Sequence, residues 1–270
     1  MDSNGRHSPL SPKRAGDGVL ALAKPGAHIV VDTPHMAQLT DYEKYIRTEE
    51  LLGLQKSADV LSCHDELQFQ VVHQAHELYM KLIEHELRFV CQSLDADDTA
   101  RAITNLRRVS TVQRVMLHSI DLLDSMAPTD YMTIRTVLGH GSGQESPGFR
   151  TMVRLPGEIV WPAFSTFLER TGITLRQIYD TPHDHHQLYQ LCEGLVDYDQ
   201  LLQIWRSRHL MLVYRIIGTG TPSLKGKHSE LLAKGMVQRF FPKLWDVRDE
   251  VFGDWTTAQA AKGRNPGYHG

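Results

Sequence analysis

Apolar residues recur at helical spacing over most of this sequence, and that feature restricts the fold more than any other. The pattern is clearest between residues 193 and 217, where side chains three and four positions apart would share one helical face. Strict alternation of apolar and polar residues, which is typical of strands, is nearly absent. The sequence therefore predicts an all-α protein. The apolar face of the clearest helix would carry Leu202, Trp205, His209, Leu212, Val213 and Ile216.

The first 36 residues differ in composition from the rest of the chain. The stretch SNGRHSPLSPKRAGDG is rich in Ser, Gly, Pro and basic residues, which is typical of a mobile arm. The helical pattern begins at Leu39, where Thr40 followed by Glu43 forms a capping-box signal. We therefore expect a mobile N-terminal arm over residues 1–36 and a single helical domain over residues 37–270.

Further helices follow from the same periodicity and from the turn residues between them. One is predicted over HDELQFQVVHQAHELYMKLIEHEL, with Ser62 as its cap, and another from Ala102 to Met126. A fourth would start at Tyr131. Glycine and proline residues predict loops over residues 139–148 and 218–227.

Composition limits the class of protein. The chain of 270 residues is 41% hydrophobic and 23% charged, which is ordinary for a globular domain. Its net charge of -3 gives no basic field for nucleic acid or an acidic membrane, so neither is expected as a partner. The longest apolar run near the N-terminus, residues 19–23, is too short for a signal peptide. Three cysteines without a CxxC pair suit a reducing cytoplasm.

Fifteen histidines raise the question of a metal site. No histidine has a glutamate three residues before it, and no HExxH motif occurs, so helical di-iron and zinc-peptidase patterns are not supported. His183, His185 and His186 cluster in a predicted loop or helix start, where adventitious metal binding or simple solvent exposure explains them better than a dedicated metal site does.

Three other positions or pairs leave functional and structural interpretations open. His209 interrupts an apolar helical face, where a buried imidazole needs a partner; an ordinary hydrogen bond or a haem iron would supply one. Phe69 and His73 share a face and could be plain core residues. Tyr131 and Arg135, one turn apart, could bind a ligand carboxylate or belong to an intramolecular salt bridge.

Several segments together resemble the tryptophan 2,3-dioxygenase superfamily of haem enzymes. They are LTDYEKYIRTEELLGLQ, HDELQFQVVHQAHELYMKLIEHEL, DYMTIRTVLGHGSGQESPGFR, WRSRHLMLVYRIIG and FPKLWDVR, in the family's order across residues 39–252. The resemblance implies a single-domain helical bundle of the tryptophan 2,3-dioxygenase type, with haem b between helices and O2 as co-substrate. It also implies a homotetramer in which an N-terminal helix is shared between subunits, and a tryptophan-type substrate.

The same resemblance implies roles for individual residues. His209 would be the proximal ligand of the haem iron, and His73 the distal histidine near the indole N–H of the substrate. Phe69 would pack on the indole, while Tyr131 and Arg135 would hold the substrate carboxylate. His64, His76 and His85 would be structural. The further implied site residues are Ser142 and Trp205 in the haem pocket, Ser223 near the substrate ammonium group, and Tyr42, Tyr45 and Ile46, which one subunit would lend to a neighbour's site.

Two segments depart from the family pattern. The loop after the proximal helix reads TGTPSLKGKHS, with Pro222 where the family has glycine, and the element around Ser142 reads SGQES. We therefore expect a divergent branch that resembles the 2-oxindole-forming enzyme of maremycin biosynthesis. Such an enzyme would insert one oxygen atom into the indole of tryptophan or β-methyltryptophan, using an external reductant such as ascorbate.

Other functions remain open at this point. One alternative is a tryptophan 2,3-dioxygenase that forms N-formylkynurenine, and another is a non-catalytic haem- or ligand-binding helical protein. A haem-dependent hydroxylase of a phenol such as tyrosine is disfavoured, because Phe69 and His73 match the tryptophan-specific pattern.

Overall fold

Every regular element of the described chain is helical, as the sequence predicts. The computed structural model describes residues 39–139, 141, 143–219 and 238–262, without the side chain of Gln144, and these residues contain no β-strand. A 3-10 turn spans Gly143–Glu145 and a π-helical segment Pro156–Val160. The α-helices are α1 (Asp41–Ile46), α2 (Thr48–Leu52), α3 (Glu66–Asp95), α4 (Thr99–Leu123), α5 (Pro128–Leu138), α6 (Pro147–Leu155), α7 (Trp161–Thr171), α8 (Leu175–Asp180), α9 (His186–Ile217) and α10 (Pro242–Ala261).

The chain divides into two compact units, one up to Leu51 and the other from Leu52 onward. In the first unit, the predicted capping box is present: Glu43 N–H donates to Thr40 Oγ1 at 3.2 Å, and Thr40 N–H donates to Glu43 Oε2 at 2.7 Å. Arg47, with φ of 58°, separates α1 from α2. The predicted boundary at residue 36 lies outside the described residues and stays a prediction.

Three long helices form the centre of the second unit. Gln68 and His76, in the first half of α3, contact Leu122 and Met116, near the end of α4, so these helices are antiparallel. α9 runs parallel to α4, because the paired residues advance together along both helices. These pairs are Arg107 with Gln190, Gln113 with Tyr198, and Asp121 with Arg208.

α4 is the common packing partner of α3 and α9. These two helices both pack closely on α4, yet across the described residues no Cα of α3 comes within 8 Å of a Cα of α9. The 30-residue α3 is about 45 Å long at 1.5 Å per residue, so it also packs against α6 and α7. The main core lies between these elements and includes Ile83, Leu87, Val90, Leu94, Leu106, Val109, Met152, Phe164, Leu195 and Leu202.

Several predicted element bounds are wrong for identifiable reasons. Ser62 does not cap α3, because its N–H and Oγ both donate to the carboxylate of Glu66, and the helix begins only at Glu66. α5 begins three residues earlier than predicted, at Pro128, because proline suits the first helical turn. α6 likewise begins with Pro147 inside a predicted loop. No helix among the described residues is long and apolar enough to cross a membrane.

The buried carboxylate of Asp199 joins α9 to the start of α10. It accepts hydrogen bonds from Phe240 N–H at 2.9 Å, Phe241 N–H at 3.1 Å and Trp245 Nε1–H at 2.9 Å, and the residue is 0% exposed. Burial raises the pKa of the carboxyl group, while the three donors and Arg239 oppose the rise. This carboxylate fixes residues 240–245 against the same helix that carries Trp205 and His209.

Substitution Asp199→Ala should destabilise the protein strongly. Three donors lose their acceptor, and a buried donor left without one costs about 1–3 kcal/mol, so we expect a loss of at least about 3 kcal/mol. Urea denaturation followed by circular dichroism measures this change. The exposed Asp249→Ala is the matched control and should shift the free energy of unfolding by less than about 0.5 kcal/mol. Equal effects of the two substitutions would contradict the anchoring role.

Glu66 should make stability depend on acid. Lys56 Nζ at 2.5 Å and the donors of Ser62 lower the pKa of its carboxyl group from 4.5 to about 2. Because the folded pKa lies below the unfolded one, this stabilisation is complete above pH 4.5 and disappears as the pH falls to about 2. Glu66→Gln should therefore flatten the fall in unfolding free energy over that interval. Exposed Glu250→Gln should leave the slope unchanged, and a parallel slope in both variants would refute the assignment.

Candidate functional site

Three imidazoles from α3 and α9 lie close together in the second unit. His73 and His76 come from α3 and His209 from α9. Desolvation, together with repulsion from the nearby His73 and His76, lowers the pKa of His209 to about 4. Desolvation and the neighbouring His73 likewise lower the pKa of His76 to about 4. All three rings are therefore neutral near pH 7, and each neutral ring has one nitrogen lone pair that can accept a hydrogen bond or bind a metal ion.

His73 has one committed and one available ring nitrogen. Its Nδ1 lies 2.7 Å from the carbonyl oxygen of Phe69, one turn earlier on α3. A carbonyl can only accept, so Nδ1 carries the proton and Nε2 keeps its lone pair. The side chain is open to solvent, yet enough protein surrounds the ring for desolvation to lower its pKa. This combination is typical of a residue that lines a cleft.

Aromatic residues form one wall beside His73. The ring of Phe69 lies 4.0 Å from the imidazole, and the ring of Tyr131 on α5 lies 6.4 Å from that of Phe69. Burial raises the pKa of the Tyr131 phenol, and the Arg135 guanidinium opposes the rise, so the phenol remains a donor beside a cation. Tyr131 and Arg135 lie one turn apart on α5. The structure thus places the Tyr131 hydroxyl group, with the permanently charged Arg135 near it, next to the aromatic wall.

His209 stacks on Trp205, the residue one turn before it on α9. The two rings are nearly parallel, with an interplanar angle of 11° and centroids 5.4 Å apart. No described protein group forms a hydrogen bond with either ring nitrogen of His209. The indole N–H of Trp205 is buried and also lacks a partner among the described residues. Ring contacts, not hydrogen bonds, therefore position both side chains.

Glu77 attaches the turn before α6 to the helix that carries His73. Its carboxylate accepts hydrogen bonds from the Ser146 hydroxyl group and, at 3.1 Å, from Gly148 N–H. A Cβ atom at Gly148 would lie only 2.8 Å from this carboxylate and from Met80 Cβ, so only glycine allows the approach. Ser146 in turn caps α6 by accepting from Phe149 N–H at 2.9 Å. The turn therefore has a defined position beside the three imidazoles.

The structure brings some predicted site residues together and leaves others apart. Phe69, His73, Tyr131, Trp205 and His209 are linked by ring contacts or by charge interactions in the second unit. The predicted residues of the first unit are exposed on α1, and their participation in a site stays a prediction. These are Tyr42, Tyr45 and Ile46, with exposed fractions of 70%, 87% and 41%. Ser142 and Ser223 lie outside the described residues.

Sequence reasoning missed two side chains of this region. It assigned His76 a structural role only, although the ring contacts Trp205, and it did not single out Glu77. The available signals were a histidine three residues after His73 and a glutamate four residues after it on one helix. The contacts of His76 and Glu77 could not be predicted from the sequence, because their partners are distant along the chain. These partners are Ser119, Trp205 and Ser146.

The described residues fit a haem between α3 and α9. His209 offers a neutral imidazole with an available nitrogen, the form that a haem iron binds. The two helix backbones are held apart, and Phe69, Tyr131, Trp205 and Ile216 give the region an apolar lining. No group of three or more His, Cys, Asp or Glu side chains in the described part of the chain could hold a metal ion by itself. His209 and Trp205 would hold the haem on one side, with His73 available for a substrate.

Comparisons with known proteins identify the family of this chain. A family model described as Tryptophan 2,3-dioxygenase matches residues 31–158. The chain is similar to the tryptophan 2,3-dioxygenase of Caulobacter vibrioides, at 33% identity over 80% of the chain and 100% of the relative. The protein of that name from Myxococcus xanthus is 30% identical over 80% and 91%, and that from Bacillus cereus 31% over 78% and 92%. The chain therefore belongs to the tryptophan 2,3-dioxygenase family, which consists of haem-dependent oxidoreductases.

Proposed function

We propose that this protein is a haem-dependent oxygenase that inserts one oxygen atom into the indole ring of tryptophan or a β-methyl tryptophan, giving a 2-oxindole. The observation that carries the proposal is the pair of neutral imidazoles: His209 has no hydrogen-bond partner among the described residues, and His73 has its Nε2 available. A haem bound to His209 would supply ferrous iron, which binds and activates O2. The relatives' names place their activity on tryptophan, which has an indole to match the aromatic wall at Phe69.

His73 orients the indole in this proposal. The bond from its Nδ1–H to the Phe69 carbonyl fixes the tautomer, so Nε2 accepts a hydrogen bond from the indole N–H. Its lowered pKa keeps it an acceptor at neutral pH, since a protonated ring would have no lone pair to offer. Phe69 packs on the indole face at the same time. The two residues set the ring's position before any bond changes, which is how orientation lowers a barrier.

The substrate carboxylate is assigned to α5. Arg135 can grip a carboxylate with two parallel hydrogen bonds, and the Tyr131 hydroxyl group, kept protonated by burial, can add a third. Both side chains lie on one face of α5 at the aromatic wall. The distance between carboxylate and indole in an amino acid then selects tryptophan-like molecules over free indoles.

The number of oxygen atoms is assigned from the sequence. Formation of a 2-oxindole uses one atom of O2, and the other leaves as water, so two electrons and two protons must come from an external reductant such as ascorbate. Formation of N-formylkynurenine retains both atoms and needs no net electrons. The TGTPSLKGKHS loop, with Pro222 and Ser223, departs from the family pattern where a loop closes over the substrate. A looser closure would let water and reductant reach the site, which favours one oxygen atom.

The proposal includes a homotetramer, in which Tyr42, Tyr45 and Ile46 from one subunit complete a neighbour's site. Large side chains on α1 are exposed in the isolated chain, and burial against a second copy would remove that apolar surface from water. A reducing cytoplasm suits the three free cysteines.

Arg135→Ala should weaken substrate binding. Loss of a charge-assisted contact of about 1.5–3 kcal/mol corresponds to a KM about 10–100 times higher, with a smaller change in kcat. Steady-state oxygen consumption against tryptophan concentration gives both constants. The matched control is Arg154→Ala, whose guanidinium pairs with Glu158 on the surface of α6, and its KM should stay unchanged. An unaltered KM in Arg135→Ala would remove this residue from the substrate site.

Mass spectrometry of the product tests the reaction itself. Haem-loaded, reduced protein is mixed with tryptophan or β-methyltryptophan in air, with and without ascorbate. We expect a product heavier by one oxygen atom that accumulates only with continuous reductant, and no product with His209→Ala. A product heavier by two oxygen atoms without reductant would instead identify a dioxygenase. Neither product, with haem bound, would favour a non-catalytic haem protein.

A further inference from the structure

We propose that His76 is a positioning residue that sets the orientation of His209 through Trp205. The inference rests on the proposed role of His209 as the haem ligand. Metal-binding histidines usually keep their orientation because the second ring nitrogen donates to a carboxylate or carbonyl group. No described protein group does this for His209, and its closest aromatic partner is the parallel Trp205 ring. The orientation must therefore come from whatever holds Trp205.

His76 is itself held firmly against α4. Its Nε2 lies 2.6 Å from Ser119 Oγ and 3.2 Å from the Met116 carbonyl oxygen. Since a carbonyl only accepts, Nε2 carries the proton, and the Ser119 hydroxyl group donates to the same carbonyl at 2.8 Å. The residue is only 7% exposed. Two acceptors on a neighbouring helix thus fix both the tautomer and the plane of the ring.

The edge of His76 meets Trp205. The ring centroids are 6.0 Å apart at an angle of 66°, an edge-to-face contact. Phe149, at 5.7 Å, contacts the indole as well. The buried indole N–H lacks a hydrogen-bond partner in the described residues, so these ring contacts set the position of Trp205.

The contacts therefore form a continuous path across three helices. Ser119 on α4 holds His76 on α3, His76 holds Trp205 on α9, and Trp205 stacks on His209. Among the described residues, no Cα of α3 lies within 8 Å of a Cα of α9, so side chains such as these rings bridge the two helices at that level. A change at His76 should reach the iron ligand although the residue does not touch His209.

Resonance Raman spectroscopy of the ferrous, haem-loaded protein tests this path, because the iron–histidine stretching band reports the orientation of the ligand. His76→Phe keeps a ring but lacks the N–H that donates to Ser119 and to the Met116 carbonyl group. We expect the band to shift or broaden. Haem transfer to apomyoglobin should become about tenfold faster, the scale at which residues behind a ligand affect metal sites. Ser119→Ala removes one acceptor of His76 and should move the band in the same direction, less far.

Controls separate this inference from the proposed function. The exposed His85→Phe, on the same helix, should leave band and haem release unchanged. If His76 acts through Trp205, the double variant His76→Phe/Trp205→Leu should release haem no faster than Trp205→Leu alone. Additive effects, or an unmoved band in both His76→Phe and Ser119→Ala, would overturn the inference and leave the ligand assignment intact. A normal band in His209→Ala would overturn both.

Discussion

The packing of α4 against both α3 and α9 is the constraint on which the rest of the site depends. Because α3 runs antiparallel and α9 parallel to α4, residues 73–76 of one helix and 205–209 of the other reach the same level. The shared partner also keeps the two outer backbones apart, so that only side chains bridge them. The rings that bridge the two helices, Phe69 and His73 on one side and Trp205 and His209 on the other, are of the kind that suits a flat apolar cofactor and an aromatic substrate.

Desolvation gives this space its chemistry. The same loss of water keeps His73, His76 and His209 neutral, but each ring uses its neutral form differently. His73 donates through Nδ1 to the Phe69 carbonyl and keeps an acceptor; His76 donates through Nε2 to α4; His209 has no hydrogen-bond partner among the described residues. In the proposed function, histidine side chains would thus bind the iron, orient the indole and position the iron ligand.

Buried or partly buried carboxylates hold the surroundings in place. Asp199, Glu66 and Glu77 each accept from two or more donors, and each joins a long helix to a segment outside it. A carboxylate that accepts several hydrogen bonds loses its water without a large cost in free energy. Because these bonds are directional, they position the attached segment more precisely than apolar contacts do. The elements around the site are therefore positioned by charge-assisted bonds, and the site itself by rings.

The sequence by itself determined the helical class, and the family resemblance named residues that the structure places near one another. Helical spacing predicted α3, α4 and α9, the capping box at Thr40 was correct, and the family resemblance named Phe69, His73 and His209, which share one region. The helical spacing and the capping box depend on neighbours three or four residues apart, whereas the site residues came from the resemblance to the family.

Tertiary structure alone decided the rest. The first residue of α3 is set by the contacts of Glu66 with Ser62 and Lys56. The position of His76 is set by its contacts with Ser119 and Trp205, which lie on other helices. Local periodicity cannot report such partners, since they are brought together only when α3 and α9 pack on α4.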